Sequence, residues 1–325
     1  MSDDFAHGTG REFTHDPVMK DEIVDALHDV PSGVVLDATL GGGGHSEAIL
    51  EDREDLSVLG LDRDGDALFA AAARLERFGH RVITRRCRFD ELDTAMAEHD
   101  IAELSGALFD LGVSSPQLDR ADRGFSYRHE GPLDMRMDAD APWSADDVVN
   151  GYHADELTRI IREYGDERFA RRIAAAIVAA RPIESTTELA AVVTHAIPAA
   201  ARRTGGHPAK RTFQAIRIEV NGELDALPRA LDRAIDALAE GGRLAVLAYH
   251  SGEDRIVKDR IRAAATGGCA CPPELPCVCG AVQTVRVVRG VPKRPSDAEQ
   301  AANRRAASAR LRVAEKIAPQ TRGAS

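Results

Sequence analysis

The chain has 325 residues, with 42 Lys and Arg against 53 Asp and Glu and a formal net charge of −11. That length can bury a full core in one or two domains, and the charge argues against an indiscriminate polyanion binder. No apolar run is long enough to span a bilayer, and the opening MSDDFAHGTGREF lacks the basic-then-apolar pattern of a secretory leader, so a cytoplasmic protein without membrane partners is expected.

Residues 20–30 read as a first helix, started by Asp16 or Pro17 and closed by the turn Pro31-Ser32-Gly33. Val34, Val35 and Leu36 then form a short apolar run, as a central parallel strand requires. Asp37 ends it, and the loop TLGGGGHS leads into a helix starting near Ser46. Strand, glycine-rich turn and helix make the first unit of a nucleotide-binding α/β domain, because bare backbone and unpaired N–H groups can approach a ligand there. The second strand, Ser57–Leu61, ends at Asp62. An acid in that place, about 20 residues beyond the loop, can accept both hydroxyls of a ribose.

Asp64 to Phe78 is an Ala-rich amphipathic helix, and Arg81 to Thr84 a third strand with Arg88-Phe89-Asp90 at its carboxyl end. Phe89 can pack on a flat base or simply join the core. Ser105–Leu111 is a fourth strand, with Asp110 near its end. The polar, Gly- and Pro-punctuated stretch GVSSPQLDRADRGFSYRHEGPLDMRMD follows, including Gln117 and Tyr127. Such a stretch reads as a functional loop. From Trp143 to about Ala201 the pattern is helical throughout, as in a helical subdomain inserted in the α/β domain. Lys210, Arg211, Gln214 and Arg217 fall along the next helix, where cations can hold phosphates while the amide meets a base or backbone.

Glu223 to Ala239 reads as a helix ended by Gly241-Gly242, and Arg243–Ala248 as a further strand. His250 sits just beyond it. A helix beginning near Arg255 leads to Cys269, Cys271, Cys277 and Cys279. Four thiolates at that tight spacing can close a tetrahedral zinc site, or remain thiols. The lone Cys87 is expected in or near the core. QTVRVV is expected to be the last strand, and residues 292–312 a basic tail with one helix. Residues 202–217 hold five Lys or Arg and no acid, and residues 281–325 hold ten against three acids. Two basic patches on an acidic body suit a selective nucleic-acid site.

The motifs together carry a resemblance. HDPV at His15–Val18, DATLGGGGHS at Asp37–Ser46, LDRD at Leu61–Asp64 and FDLGVSSPQLD at Phe109–Asp119 are its first half. RGFS, PLDMRMD, RTFQAIRIEVN, YHSGEDRIVK and NRRAASARLR, the last ending at Arg312, complete it. The chain resembles the bacterial 16S ribosomal RNA cytosine-N4 methyltransferases of the RsmH/MraW type over nearly its whole length. The resemblance implies a Rossmann-like methyltransferase sheet with an inserted all-helical substrate domain, divided as 1–118, 119–215 and 216–325. It implies S-adenosylmethionine held by Gly43, Gly44, His45, Asp62, Phe89, Asp110 and Gln117. The implied substrate is a decoding-region cytidine of 16S ribosomal RNA in the small subunit, methylated on its exocyclic amine.

On that reading Asp110 is the candidate proton acceptor, and Tyr127 can stack on an unstacked cytosine. Lys210, Arg211, Gln214, Arg217 and His250 are candidate RNA contacts. Gly252 stands where the family pattern carries Leu. The cysteine cluster is not inherited from the resemblance and rests on spacing alone. Oligomeric state stays open, a homodimer included. A nicotinamide-dependent oxidoreductase and a non-catalytic RNA-binding assembly factor share parts of the pattern. The first needs a third glycine deep in the helix, where this chain has His45, Ser46 and Glu47.

Overall fold

The structure is a computed structural model, and it describes residues 17–203, 206–272 and 278–321. His15, Asp16 and Cys277 lie outside the described residues. The strands are β1 Gly33–Asp37, β2 Leu56–Asp62, β3 Val82–Arg86, β4 Leu104–Asp110, β5 Leu238–Ala248, β6 Val282–Val287 and β7 Arg310–Thr321. The helices through the first half are α1 Lys20–His28, α2 Gly44–Asp52, α3 Gly65–Leu75, α4 Leu92–Glu98, α5 Ser115–Asp119 and α6 Ala154–Glu163. Those of the second half are α7 Ala170–Ala180, α8 Thr186–Ala196, α9 Lys210–Asn221, α10 Glu223–Ala237, α11 Ser251–Thr266 and α12 Asp297–Ala302.

The strands form one sheet in the order β3-β2-β1-β4-β5-β7-β6. β1 to β5 run parallel, and β7 pairs antiparallel with both β5 and β6. Alternate side chains of each central strand are buried on opposite faces, as the short apolar runs require. Leu36 joins one face with Leu92, Leu231 and Val257 of α4, α10 and α11. Val35 joins the other with Ile23 and Leu27 of α1 and Ile49 of α2. Gly106 in β4 leaves room for α1, since a Cβ there would stand 3.0 Å from Leu27.

A separate apolar core holds the helical lobe. Leu157, Ile160, Ile161, Ile173, Ile177 and Leu189 are fully buried in it. Each contributes roughly 1.5–3 kcal/mol relative to exposure. Phe125, Leu133, Met135 and Met137 from the long loop after β4 pack into the same core. That loop is therefore the floor of the lobe, tied down along its length.

Three sequence expectations are corrected. β5 begins at Leu238, before the glycine pair, and crosses it through a register shift opposite β4. α11 begins at Ser251, because the His250 side chain accepts from the Gly252 and Glu253 N–H groups and caps the helix. Most important, β6 is not the last strand. The last three residues of the stretch read as a basic tail, 310–312, open β7, which is inserted between β5 and β6. Its charges are absorbed by pairing: Arg312 with Asp254, and Glu315 with Arg243 and Arg286.

Candidate functional site

The strand order reverses between β1 and β4, and the chain opens a cleft of about 1040 Å³ at the carboxyl ends of the parallel strands there. Open α/β sheets take ligands at this point because loops from neighbouring strands part company. The volume is at the upper end for one ligand, which suits two occupants side by side.

The glycine loop forms the cleft wall above β1. Leu40 N–H donates to Leu61 O, and Gly43 N–H to Leu40 O, so the turn is locked before α2 begins. Gly43 is left-handed (φ 77°) and faces Leu75, while a Cβ on Gly44 would fall 2.6 Å from Pro17. Both glycines are needed for close packing. Gly42 has open space where a side chain would stand, which leaves bare backbone toward the cleft.

Three strand-end carboxylates converge on this region. Asp37 is 1% exposed and accepts from Ser46 Oγ at 2.6 Å; burial pushes its pKa up to about 6. Asp62 accepts from the Gly41 N–H at 2.8 Å and the Asp64 N–H at 2.9 Å, and burial also raises it. Asp110 accepts from the Tyr249 hydroxyl at 2.7 Å through Oδ1, while Oδ2 lies 3.6 Å from His45 Nε2. The Tyr249 phenol is held well above its ordinary pKa by burial and by Asp110. Neither buried ring nitrogen of His45 has a hydrogen-bond partner among the described residues. Asp62, Asp110 and His45 line the cleft and Asp37 does not, and such a lining favours a cationic ligand with polar atoms of its own.

Gln117 has a structural duty that the sequence did not reveal. Its amide donates to Asp64 Oδ2 at 2.9 Å and accepts from the Ser114 N–H at 3.1 Å, tying the long loop to the end of β2. Arg123 adds a buried 3.0 Å ion pair to the same Asp64. Phe89 lines the cleft with its edge toward Phe109, ring centroids 6.0 Å apart. Cys87 is buried, and burial raises its thiol pKa.

The expected RNA contacts divide. Lys210 is exposed at the start of α9 on the cleft rim, with no side-chain partner among the described residues. Tyr127 faces the cleft, but one ring face is already stacked on His207 at 4.5 Å and its neighbour Phe213 meets it edge-on. Arg217 lines the cleft, with its Nε and Nη2 N–H groups donated to the two Glu223 oxygens at 2.9 Å each. Gln214 donates to Tyr164 O. Arg211 donates to Asp166 O and lies outside the cleft lining. His250 lines the cleft but is occupied as the α11 cap. Conversely, Tyr249, Thr39 and Arg304 were not singled out. Thr39 Oγ1 accepts from the Asp110 N–H at 2.7 Å, and Arg304 stands on the rim. Only the adjacency of Tyr249 to His250, just past a strand end, could have flagged it.

A dinucleotide dehydrogenase of the common type has a sheet ordered 3-2-1-4-5-6 and a third glycine inside its first helix. Here an antiparallel strand interrupts that order, and α2 continues as His45, Ser46 and Glu47. The fold and the cleft are those of an S-adenosylmethionine-dependent methyltransferase. Comparison with known proteins narrows the class: a family model described as the MraW methylase family matches residues 12–317, and the chain belongs to that family. It is 52% identical over 318 residues to ribosomal RNA small subunit methyltransferase H of Saccharopolyspora erythraea, covering 95% of each chain. It is 50% identical over 312 residues to the protein of the same name from Heliobacterium mobile, covering 94% of this chain and 100% of that one. Among solved structures, an rRNA methylase from Streptococcus thermophilus is similar at 13% identity and a TM-score of 0.40, covering 92% of this chain and 94% of that one. No helix among the described residues is long and apolar enough to cross a membrane.

Proposed function

We propose that this chain transfers the methyl group of S-adenosylmethionine to the exocyclic N4 amine of a decoding-region cytidine in 16S ribosomal RNA, acting on the small subunit in the cytoplasm. The family membership and the names of the relatives support ribosomal RNA as the substrate class. The observation that carries the chemistry is Asp110. It stands at the end of β4 between the glycine loop and the face that bears Tyr127 and Lys210, with one oxygen bonded to Tyr249 and the other open toward the cleft.

The residues present fit the cofactor: the glycine turn offers backbone, Asp62 an acceptor for ribose hydroxyls, and Asp62 and Asp110 a field that favours a sulfonium cation. S-adenosylmethionine supplies an activated methyl group, so the protein needs mainly to align donor and acceptor. A cytosine amine is a poor nucleophile because its lone pair is delocalised into the ring. Asp110, accepting one of the amine's hydrogens, favours a pyramidal nitrogen and holds the proton released as the N–C bond forms. Tyr249 fixes the carboxylate for that contact. Tyr127 and the Arg128 guanidinium 5.6 Å from its ring centroid border the place an unstacked base would take, and Lys210 and Arg304 meet phosphates. Asp110 could instead serve the cofactor's ammonium, and the two roles separate by measurement.

The test incubates purified chain and labelled S-adenosylmethionine with small subunits from cells lacking the protein, and with naked 16S RNA. Mass spectrometry of nuclease digests should find one N4-methylcytidine per subunit. Methyl on another atom would overturn the position. No methyl in either substrate, with the cofactor bound, would favour a non-catalytic assembly factor.

A further inference from the structure

The chain between α11 and β6 brings three cysteines together. The Sγ atoms of Cys269, Cys271 and Cys279 all lie within 4.8 Å of one another. The backbone folds back to allow it. Gly267 ends α11 in the left-handed region (φ 61°), and a Cβ there would fall 2.4 Å from the Val282 nitrogen, so the first residue of β6 touches the end of the helix. The Gly268 N–H donates to Ala263 O and the Cys269 N–H to Thr266 O, wrapping the chain around the helix terminus.

We propose that Cys269, Cys271 and Cys279 form a structural zinc site. Zinc bound to thiolates at about 2.3 Å sets sulfurs roughly 3.8 Å apart in a tetrahedron, so the observed cluster needs only small side-chain adjustments. Core packing does not explain the grouping. Cys87 shows what a packing thiol looks like here, buried in the main core cluster, whereas Cys269 and Cys271 are half-buried and Cys279 is exposed. Zinc bound here would place a cation beside the carbonyl end of the 16-residue α11 and release the thiol protons to solvent. The three thiols occupy three of the four positions around a tetrahedral zinc and leave one for a further ligand.

The site is remote from the chemistry. α11 leaves the carboxyl edge of β5 and runs back, and β6 starts parallel to β5 because both are antiparallel to β7. The thiols therefore stand at the opposite edge of the sheet from the cleft. Zinc there pins the end of α11 to the start of the edge strand β6.

The full chain, carrying a tag that binds no metal, is purified from zinc-replete cells and analysed by elemental mass spectrometry. About one zinc per chain is expected, falling at least about tenfold in Cys271→Ser and in Cys279→Ser, with Cys87→Ser unchanged. Both cluster variants should melt earlier while turnover at low temperature stays within about twofold. Because a variant can misfold, cobalt(II) is also added to zinc-depleted wild-type chain, which should show intense thiolate-to-cobalt charge transfer and tetrahedral bands. Zinc below about 0.1 per chain with no such bands overturns the site. So does zinc that persists in the variants, or a disulfide among these cysteines in chain freshly prepared without oxidant.

Discussion

Asp110 has two partners of different kinds, and the difference defines its test. Tyr249 holds one oxygen at 2.7 Å, and the second stands 3.6 Å from His45 without a proper hydrogen bond. Asp110→Asn keeps shape and an acceptor toward Tyr249 but cannot take a proton. Turnover should fall at least about 100-fold, near 2.7 kcal/mol of barrier, with cofactor affinity changed less than about threefold by calorimetry. A parallel loss of affinity would assign Asp110 to the cofactor instead. Asp37 makes a second prediction at this scale. Its folded pKa, about 6, lies above the ordinary 3.8, so the folded state holds the proton more tightly than the unfolded chain. The stability this confers is complete below pH 4, declines as pH rises to about 6 and is then gone, up to about 3 kcal/mol in all. Asp37→Asn should flatten urea-unfolding stability across that window. The positions of Asp37, Asp62 and Asp110 were legible because each ends an apolar run. The partners of Gln117 and Tyr249 were not, because they come from chain segments 53 and 139 residues away.

Elements were legible where one periodicity dominates. β1, β2 and β4 are short apolar runs, and a central strand reads no other way. β7 shows the opposite case. Leu311 and Val313 alternate inward, but Arg310 and Arg312 beside them gave the start of the strand the look of a basic tail. Charges that find cross-strand partners cannot be told from charges that find water until the sheet is assembled. Leu311 is 2% exposed, so Leu311→Ala should cost about 2–5 kcal/mol in denaturant unfolding, whereas a tail would tolerate it. α9 repeats the lesson: a window ending at Arg217 counts no acid, and the neutralising Glu223 stands six residues on. The same helix ends in Asn221, whose amide donates to Met135 O and Arg217 O and accepts from the Met137 N–H. Asn221→Ala strands buried backbone groups of the long loop and should lower stability by about 2–4 kcal/mol, read by thermal melting, with KM for RNA raised.

At the scale of the molecule, an acidic body presents few unpaired cations to the cleft. Lys210 and Arg304 stand on its rim without side-chain partners among the described residues, whereas Arg217 is internally matched. Binding should therefore depend on salt only modestly. Lys210→Ala should reduce the slope of log affinity against log salt by about 0.7, the value for one contact to single-stranded RNA. A slope unchanged by that substitution would place the phosphate contact elsewhere.

The insertion of β7 between β5 and β6 has a bearing on synthesis. Until residues 310–321 have left the exit tunnel, β5 keeps a naked edge and β6 has no neighbour to join. At roughly 5–20 residues per second, a nascent chain waits for β7 with the preceding strands complete in sequence yet open in structure. Products that stop short of this strand should be prey to proteases.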